Sequence, residues 1–315
     1  MTACPPRLSL LRPHALAAQP HYPFVPGHEL AGVATEVGAK VTKIRVGDAV
    51  GVGCMVDACL QCRACRSGDE NKCARQVATY GGVDLHGRAG SPCGYTLGGY
   101  STHHVVHEHF AIRIPAGYPL EAAGPVMCSG VTLYDPMRKF GVRAGTRVGV
   151  VGVGGLGTIG IKIAKALGAR VTAVTRSAGK AALAARCGAD AVVVSSDAAA
   201  MEAAALSVDL LLNTIPFEHD FWAYNLLLAP RGQHVLLGLN SGLVAGIAAE
   251  MLTCGRSLIR GSGIGGIPAT QAVVDLCAKH GIVPETTIVS ANELNGVYEK
   301  LEASNDAGVR YVLGE

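Results

Sequence analysis

From residue 147 onward, short apolar runs alternate with stretches whose apolar positions recur at helical spacing. The runs predict strands over 147–152, 170–175, 190–194, 208–213, 233–238 and 257–261, with helices over 155–168, 178–187, 198–206 and 218–228 between them. Such alternation is the pattern of an α/β, doubly wound parallel sheet. The first half reads differently. Residues 1–20 carry neither a helical nor a strand period, and the character changes abruptly at His21. Short strands then follow over 30–37 and 46–52, punctuated by glycine and charged turns, as in a small β-barrel. Strand character returns over 95–114. The tail holds a helix over 268–280, then a second helix and a last strand, and is expected to pack back on the first domain. The expected division is 1–128 with 267–315, and 129–266.

Composition narrows the classes. A chain of 315 residues that is 49% apolar and 16% charged buries a sizeable core, and its length suits about two domains. The net charge of +3 comes without a run of five like charges, which argues against nucleic acid or an anionic membrane as partner. No apolar run approaches the ~18 residues that span a bilayer. Eleven cysteines without an apolar secretory leader point to a reducing, cytoplasmic compartment. Residues 1–20 hold arginine and no acid, as a transit peptide would, but their prolines and poor amphipathic order count against one.

Two motifs carry most of the chemistry. The first is Gly152, Gly154, Gly155, Leu156 and Gly157, set between a strand and a helix, with a second strand at the right distance. Glycines there allow a tight turn, close approach of backbone to a pyrophosphate, and close helix–strand packing, and the helix N-terminus presents free N–H groups. That context identifies a Rossmann-type dinucleotide site. At the end of the second strand, where an acid would select NAD, stand Thr175, Arg176 and Ser177, followed by Lys180. A hydroxyl and two cations suit a 2′-phosphate, so the expected cofactor is NADP. The second motif is Cys59, Cys62, Cys65 and Cys73. Four thiolates at this spacing fit a tetrahedral structural zinc closed to water, which would order a lobe that has no apolar core of its own.

Several stretches together resemble one family, the zinc-containing medium-chain dehydrogenases, and within it the cinnamyl alcohol dehydrogenase branch. They are YPFVPGHELAGVATEVG, VGDAVGVGCMVDAC with the cysteine lobe, LGGYSTHHVV, VMCSGVTLY, VGVVGVGGLGTIGIKIAKALGA and GSGIGGIPATQ. The resemblance implies a GroES-like barrel domain joined to a Rossmann domain, and reversible NADP-dependent interconversion of primary alcohols and aldehydes. By it, His28 and Cys128 would hold a catalytic zinc, with Glu29 as a neighbouring carboxylate able to approach the metal. Thr132, Thr214, Gly238, Ser262 and Ile264 would line the rest of the cofactor. A homodimer joined through the edges of two sheets is also implied.

One segment departs from the family. Where its first zinc cysteine and relay hydroxyl would stand, this chain has Pro6; Cys4 precedes it, but Pro5 and Pro6 follow instead of a hydroxyl. Two readings stay open: a truncated or frame-shifted gene start on an otherwise intact enzyme, or a catalytically impaired NADP-binding homologue that keeps only structural zinc. With three protein ligands the norm for catalytic zinc, weak metal binding is expected. A zinc polyol dehydrogenase is the rival within enzymes. The histidines at 103, 104, 107 and 109 read as an exposed strand, and Cys54, Cys93, Cys187, Cys254 and Cys277 as incidental or core thiols.

Overall fold

The computed structural model describes residues 22, 25–87, 93–238, 257–303 and 308–314. Residues 1–20, with Cys4, and Cys254 lie outside the described residues. The chain divides into two compact units, one drawn from Met1–Val131 with Ile264–Glu315 and the other from Thr132–Gly263.

In the first unit, β1 (Leu30–Val33) runs antiparallel to β2 (Ala49–Val52), which pairs in turn with β5 (Ile112–Arg113). A separate ribbon pairs β3 (Met55–Asp57) with β4 (Val77–Ala78). Leu30, Val52, Val56 and Val77 form the core beneath these strands. The first strand is shorter than the sequence suggests, ending at Val33 with Thr35, Glu36 and Val37 exposed beyond it. Most of 95–114 is not strand either. Its LGGY stretch sends its backbone donors to residues 25–27: Gly98 N to Val25 O at 2.7 Å, Gly99 N to Gly27 O at 3.0 Å and Tyr100 N to Pro26 O at 2.9 Å. These bonds clamp the segment that leads into His28.

The second unit is built on a six-stranded parallel sheet of β6 (Arg147–Val151), β7 (Arg170–Thr175), β8 (Ala191–Val194), β9 (Val208–Asn213), β10 (Leu228–Leu236) and β11 (Ser257–Gly261). Its order, β8-β7-β6-β9-β10-β11, is that of a doubly wound dinucleotide-binding sheet. Central strands buried on both faces read as unbroken apolar runs; Leu210, Leu211 and Leu212 are all fully buried. Each such side chain contributes roughly 2 kcal/mol on transfer from water. Arg147 grips Asp209 through its side chain at 2.5 Å and 3.2 Å and its backbone N–H at 3.0 Å, tying β6 to β9. The predicted helix over 218–228 shrinks to Phe221–Asn225, capped by Asp220, because β10 starts earlier, at Leu228, with a bulge before Gln233.

The tail belongs to the first unit. Its helix Ile267–His280 begins with Pro268 in the first turn and closes on Gly281 in the left-handed region, φ 62°. Gln271 imitates a strand neighbour, accepting from Arg113 N at 2.9 Å and donating to Arg113 O at 2.8 Å. Beyond it, β12 (Thr286–Val289) pairs in parallel with β13 (Arg310–Leu313), and the helix Leu294–Ala303 lies between them in sequence. The sequence pattern did not reveal β12, whose exposed Ile288 breaks the expected alternation.

Candidate functional site

His28 sits where the clamped 25–27 segment turns into β1, with its ring stacked on Tyr80 at 5.8 Å between centroids. Cys128 comes from a distant stretch of sequence, on a π-helical turn, Val126–Gly130, that follows the short helix Leu120–Pro125. Single π turns recur at functional sites because they re-aim one side chain out of the helical register. Here the turn brings Cys128 Sγ to 3.3 Å from His28 Nε2. Glu29 is fully buried, with Oε1 3.8 Å from His28 Nε2 and 3.6 Å from Arg310 Nη1 on β13. Burial opposes a charge on His28, but the Cys128 thiolate and Glu29 override it and raise the imidazole to about 9. Contact with Cys54 and the charge of His28 hold the Cys128 thiol well below the ordinary thiol range, against the effect of burial.

Cys54 is the residue that sequence reasoning set aside. The structure groups it with His28 and Cys128, donor atoms all within 4.8 Å of one another. No spacing rule could have found it, since the three residues come from distant parts of the chain. Arg310 was missed for the same reason; it enters the site from the last strand.

Cys59, Cys62, Cys65 and Cys73 form a second group, again within 4.8 Å of one another. Sulfur–sulfur separations include 3.5 Å for Cys59–Cys73, 3.6 Å for Cys62–Cys65 and 3.9 Å for Cys59–Cys65. Backbone donors point at the sulfurs, with Cys62 N 3.3 Å from Cys59 Sγ and Arg75 N 3.4 Å from Cys73 Sγ. The N–H groups of Gln61 and Cys62 lower the Cys59 thiol to about 6, while burial pushes Cys65 up to about 12. The lobe has one buried acid, Glu70, which accepts from Ile267 N at 2.9 Å and meets His109 Nε2 at 2.8 Å. His109 is thus a structural tie, while the rest of the histidine run has no metal group around it among the described residues.

In the second unit the glycine turn ends β6. Gly152 has φ +94°, and a Cβ there would lie 2.6 Å from Thr214 Oγ1; a Cβ on Gly157 would lie 1.8 Å from Gly152 O. The turn and the helix Gly155–Ala166 therefore touch through backbone. No side chain caps this helix at Gly154, so no side-chain acceptor takes up its leading N–H groups. Thr214 donates to Val151 O at 2.8 Å, and Gly238 N reaches Asn213 O at 3.3 Å, so both follow the carboxyl ends of the sheet beside the turn. Thr175 is buried at the end of β7 and bonds Ser177 N at 3.3 Å, while Arg176 and Ser177 are exposed and Lys180 is half-buried. Thr132 is buried in this unit, and Ser262 N bonds Leu236 O at 3.0 Å. Ile264, with φ 46°, falls in the first unit.

Comparisons with known proteins converge. The family model "Alcohol dehydrogenase GroES-like domain" matches residues 3–116, and "Zinc-binding dehydrogenase" matches residues 155–279. The chain is 43% identical to probable cinnamyl alcohol dehydrogenase 3 of Oryza sativa subsp. japonica, over 93% of this chain and 78% of that protein. It is 45% identical to NADP-dependent alcohol dehydrogenase C 1 of Mycolicibacterium smegmatis, over 93% of this chain and 82% of that one. A cinnamyl alcohol dehydrogenase structure from Sorghum bicolor superimposes with a TM-score of 0.86 at 40% identity, covering 93% of this chain and 82% of that one. The structure of CAD from Helicobacter pylori complexed with NADP(H) gives a TM-score of 0.81 at 34% identity, with the same coverage. The resemblance in the motifs, the sheet order and these matches agree: the chain belongs to the zinc-containing medium-chain dehydrogenases, in the branch of the cinnamyl alcohol dehydrogenases.

Proposed function

We propose that this protein is an NADP-dependent alcohol dehydrogenase that interconverts primary alcohols and aldehydes, working through a zinc held by His28 and Cys128. The observation that carries the reading is the meeting of an imidazole nitrogen and a thiol sulfur at 3.3 Å in a half-buried site. An imidazole with soft sulfur ligands is a zinc donor set. Zinc in such a site supplies Lewis acidity toward a carbonyl or alkoxide oxygen, and the reduced nicotinamide supplies the hydride.

The protein's own residues have separable tasks. His28 and Cys128 hold the metal. Glu29, buried beside His28 and Arg310, sets the local charge and can approach the metal. Gly152 and Gly154–Gly157 admit the pyrophosphate, and the uncapped N–H groups hydrogen-bond it. Thr175, Arg176, Ser177 and Lys180 select a 2′-phosphate, a choice in keeping with one relative named as NADP-dependent and with a similar structure solved as a complex with NADP(H). Thr132, Thr214, Gly238, Ser262 and Ile264 complete the cofactor's surroundings. Cys59, Cys62, Cys65 and Cys73 hold a structural zinc. The reading extends to a cytoplasmic homodimer joined through a sheet edge; among the described residues β8 and β11 are the outer strands of the sheet.

The test is steady-state reduction of cinnamaldehyde and aliphatic aldehydes by zinc-loaded protein with NADPH and with NADH. The reading expects turnover with NADPH and a kcat/KM for NADH lower by about 100-fold, the worth of lost charge-assisted hydrogen bonds to a phosphate. Cofactor binding without turnover of any alcohol or aldehyde would overturn it.

A further inference from the structure

We infer that Cys54 is the third protein ligand of the metal held by His28 and Cys128, so that this chain completes its zinc site with a cysteine from the turn between β2 and β3. The inference rests on the functional reading above for the presence of that metal, and adds a ligand which that reading lacks.

Three observations carry it. The donor atoms of His28, Cys54 and Cys128 lie within 4.8 Å of one another, with His28 and Cys128 at 3.3 Å. Around a tetrahedral ion with ordinary zinc–nitrogen and zinc–sulfur bonds, ligand atoms stand roughly 3.5–4 Å apart, so small side-chain rotations close the set. Second, Cys54 is held in place. The turn's carbonyls are both engaged by the fully buried Thr79, whose Oγ1 donates to Gly53 O at 2.5 Å and whose N–H donates to Cys54 O at 3.2 Å. Third, the turn lies directly on the π turn that carries Cys128. A Cβ on Gly53 would sit 3.0 Å from Met127 O, tighter than ordinary contact, so the two backbones run close together here. The two thiols are thereby fixed on adjoining backbone segments.

The chemistry of the set is that of a catalytic zinc site. One imidazole and two thiolates favour a borderline or soft divalent ion and leave a fourth position open for a substrate oxygen. Two thiolate charges also balance the metal. With Cys54 beside Cys128, the described residues supply two thiolates and one imidazole to the site.

The experiment is zinc content and site-resolved thiol protection on the full chain. Unmutated protein is expected to hold two zinc ions, and Cys54→Ser one, with affinity at the second site weakened by about 100-fold or more. Cys93→Ser, an exposed thiol elsewhere, keeps both. In unmutated protein, mass-mapped alkylation should find Cys54 and Cys128 protected together and released together as a chelator strips the second ion. The proposal is overturned if Cys54 alkylates while the second zinc stays bound, or if Cys54→Ser holds two ions at unchanged affinity. A single zinc in the unmutated protein would instead overturn the catalytic-metal reading itself, which keeps the two failures apart.

Discussion

His28 Nε2 stands 3.3 Å from Cys128 Sγ, although a hundred positions of sequence separate them. The contact joins a loop clamped by LGGY to a π turn whose Val126 and Met127 fill the core, while His28 and Cys128 themselves are only half-buried. Replacing either residue should therefore cost function far more than stability. His28→Ala is expected to lower zinc content by one ion per chain and kcat/KM for aldehyde reduction by about 1,000-fold or more, the worth of several kcal/mol of Lewis-acid stabilisation. Metal analysis with steady-state kinetics checks both, and circular dichroism should show an intact fold.

Gly157 tests the dinucleotide cradle. An added Cβ would lie 1.8 Å from Gly152 O, so the helix start must move away from the turn. Gly157→Ala should destabilise the second unit by about 1–3 kcal/mol and weaken NADPH binding by at least about tenfold. Titration calorimetry and thermal melting give the two numbers; unchanged binding would show that the turn does not hold the pyrophosphate.

Arg176 is the exposed cation beside the end of β7. Arg176→Ala should raise KM for NADPH by about 10- to 100-fold through loss of a charge-assisted hydrogen bond, while KM for NADH changes little. An equal effect on both cofactors would place Arg176 away from the 2′-phosphate.

The cysteine lobe should depend on its metal for order. Its basic residues Arg63, Arg66, Lys72 and Arg75 offer trypsin sites that the zinc-bound lobe withholds. Chelated protein, or Cys65→Ser, is expected to be cut within this lobe while the parallel sheet stays protected. Peptide mapping of a limited digest reads the outcome.

His234 predicts a pH dependence. It is fully buried, stacked on Phe221 at 4.1 Å, and accepts from Asn213 Nδ2 at 3.2 Å while the same amide meets His219 Nε2 at 2.9 Å. Burial, aided by His219, lowers its pKa from 6.5 to about 3. The unfolded chain thus binds a proton that the folded chain refuses below about 6.5, so stability is full above that pH and falls as pH drops toward 3. Thermal melts should lose about 1.4 kcal/mol per pH unit from this group below pH ~6.5. His234→Gln should flatten that slope; an unchanged slope would show that His234 is not its source.

Much of this was legible because local pattern and chemistry coincide. The six sheet strands announce themselves as apolar runs since both faces of the sheet are buried, and the cysteine lobe and glycine turn are contiguous in sequence. The barrel was harder to read. Its strands are short, and stretches such as LGGY give their hydrogen bonds to irregular backbone rather than to a ladder. Cys54 and Arg310 were invisible for a different reason: tertiary packing alone carries them to His28, and the expectation of a zinc at His28 and Cys128, with Glu29 beside it, came from the family resemblance rather than from spacing.

The central claim is direct hydride transfer between nicotinamide and the carbonyl carbon of an aldehyde. It is tested by supplying zinc-loaded protein with NADPH carrying deuterium at the transferable C4 position and analysing the alcohol formed from cinnamaldehyde by mass spectrometry. The account predicts one deuterium on the carbinol carbon of essentially every product molecule, and product formed about 1,000-fold or more slowly by His28→Ala. Alcohol formed without deuterium, or no alcohol from fully metallated protein, would contradict it.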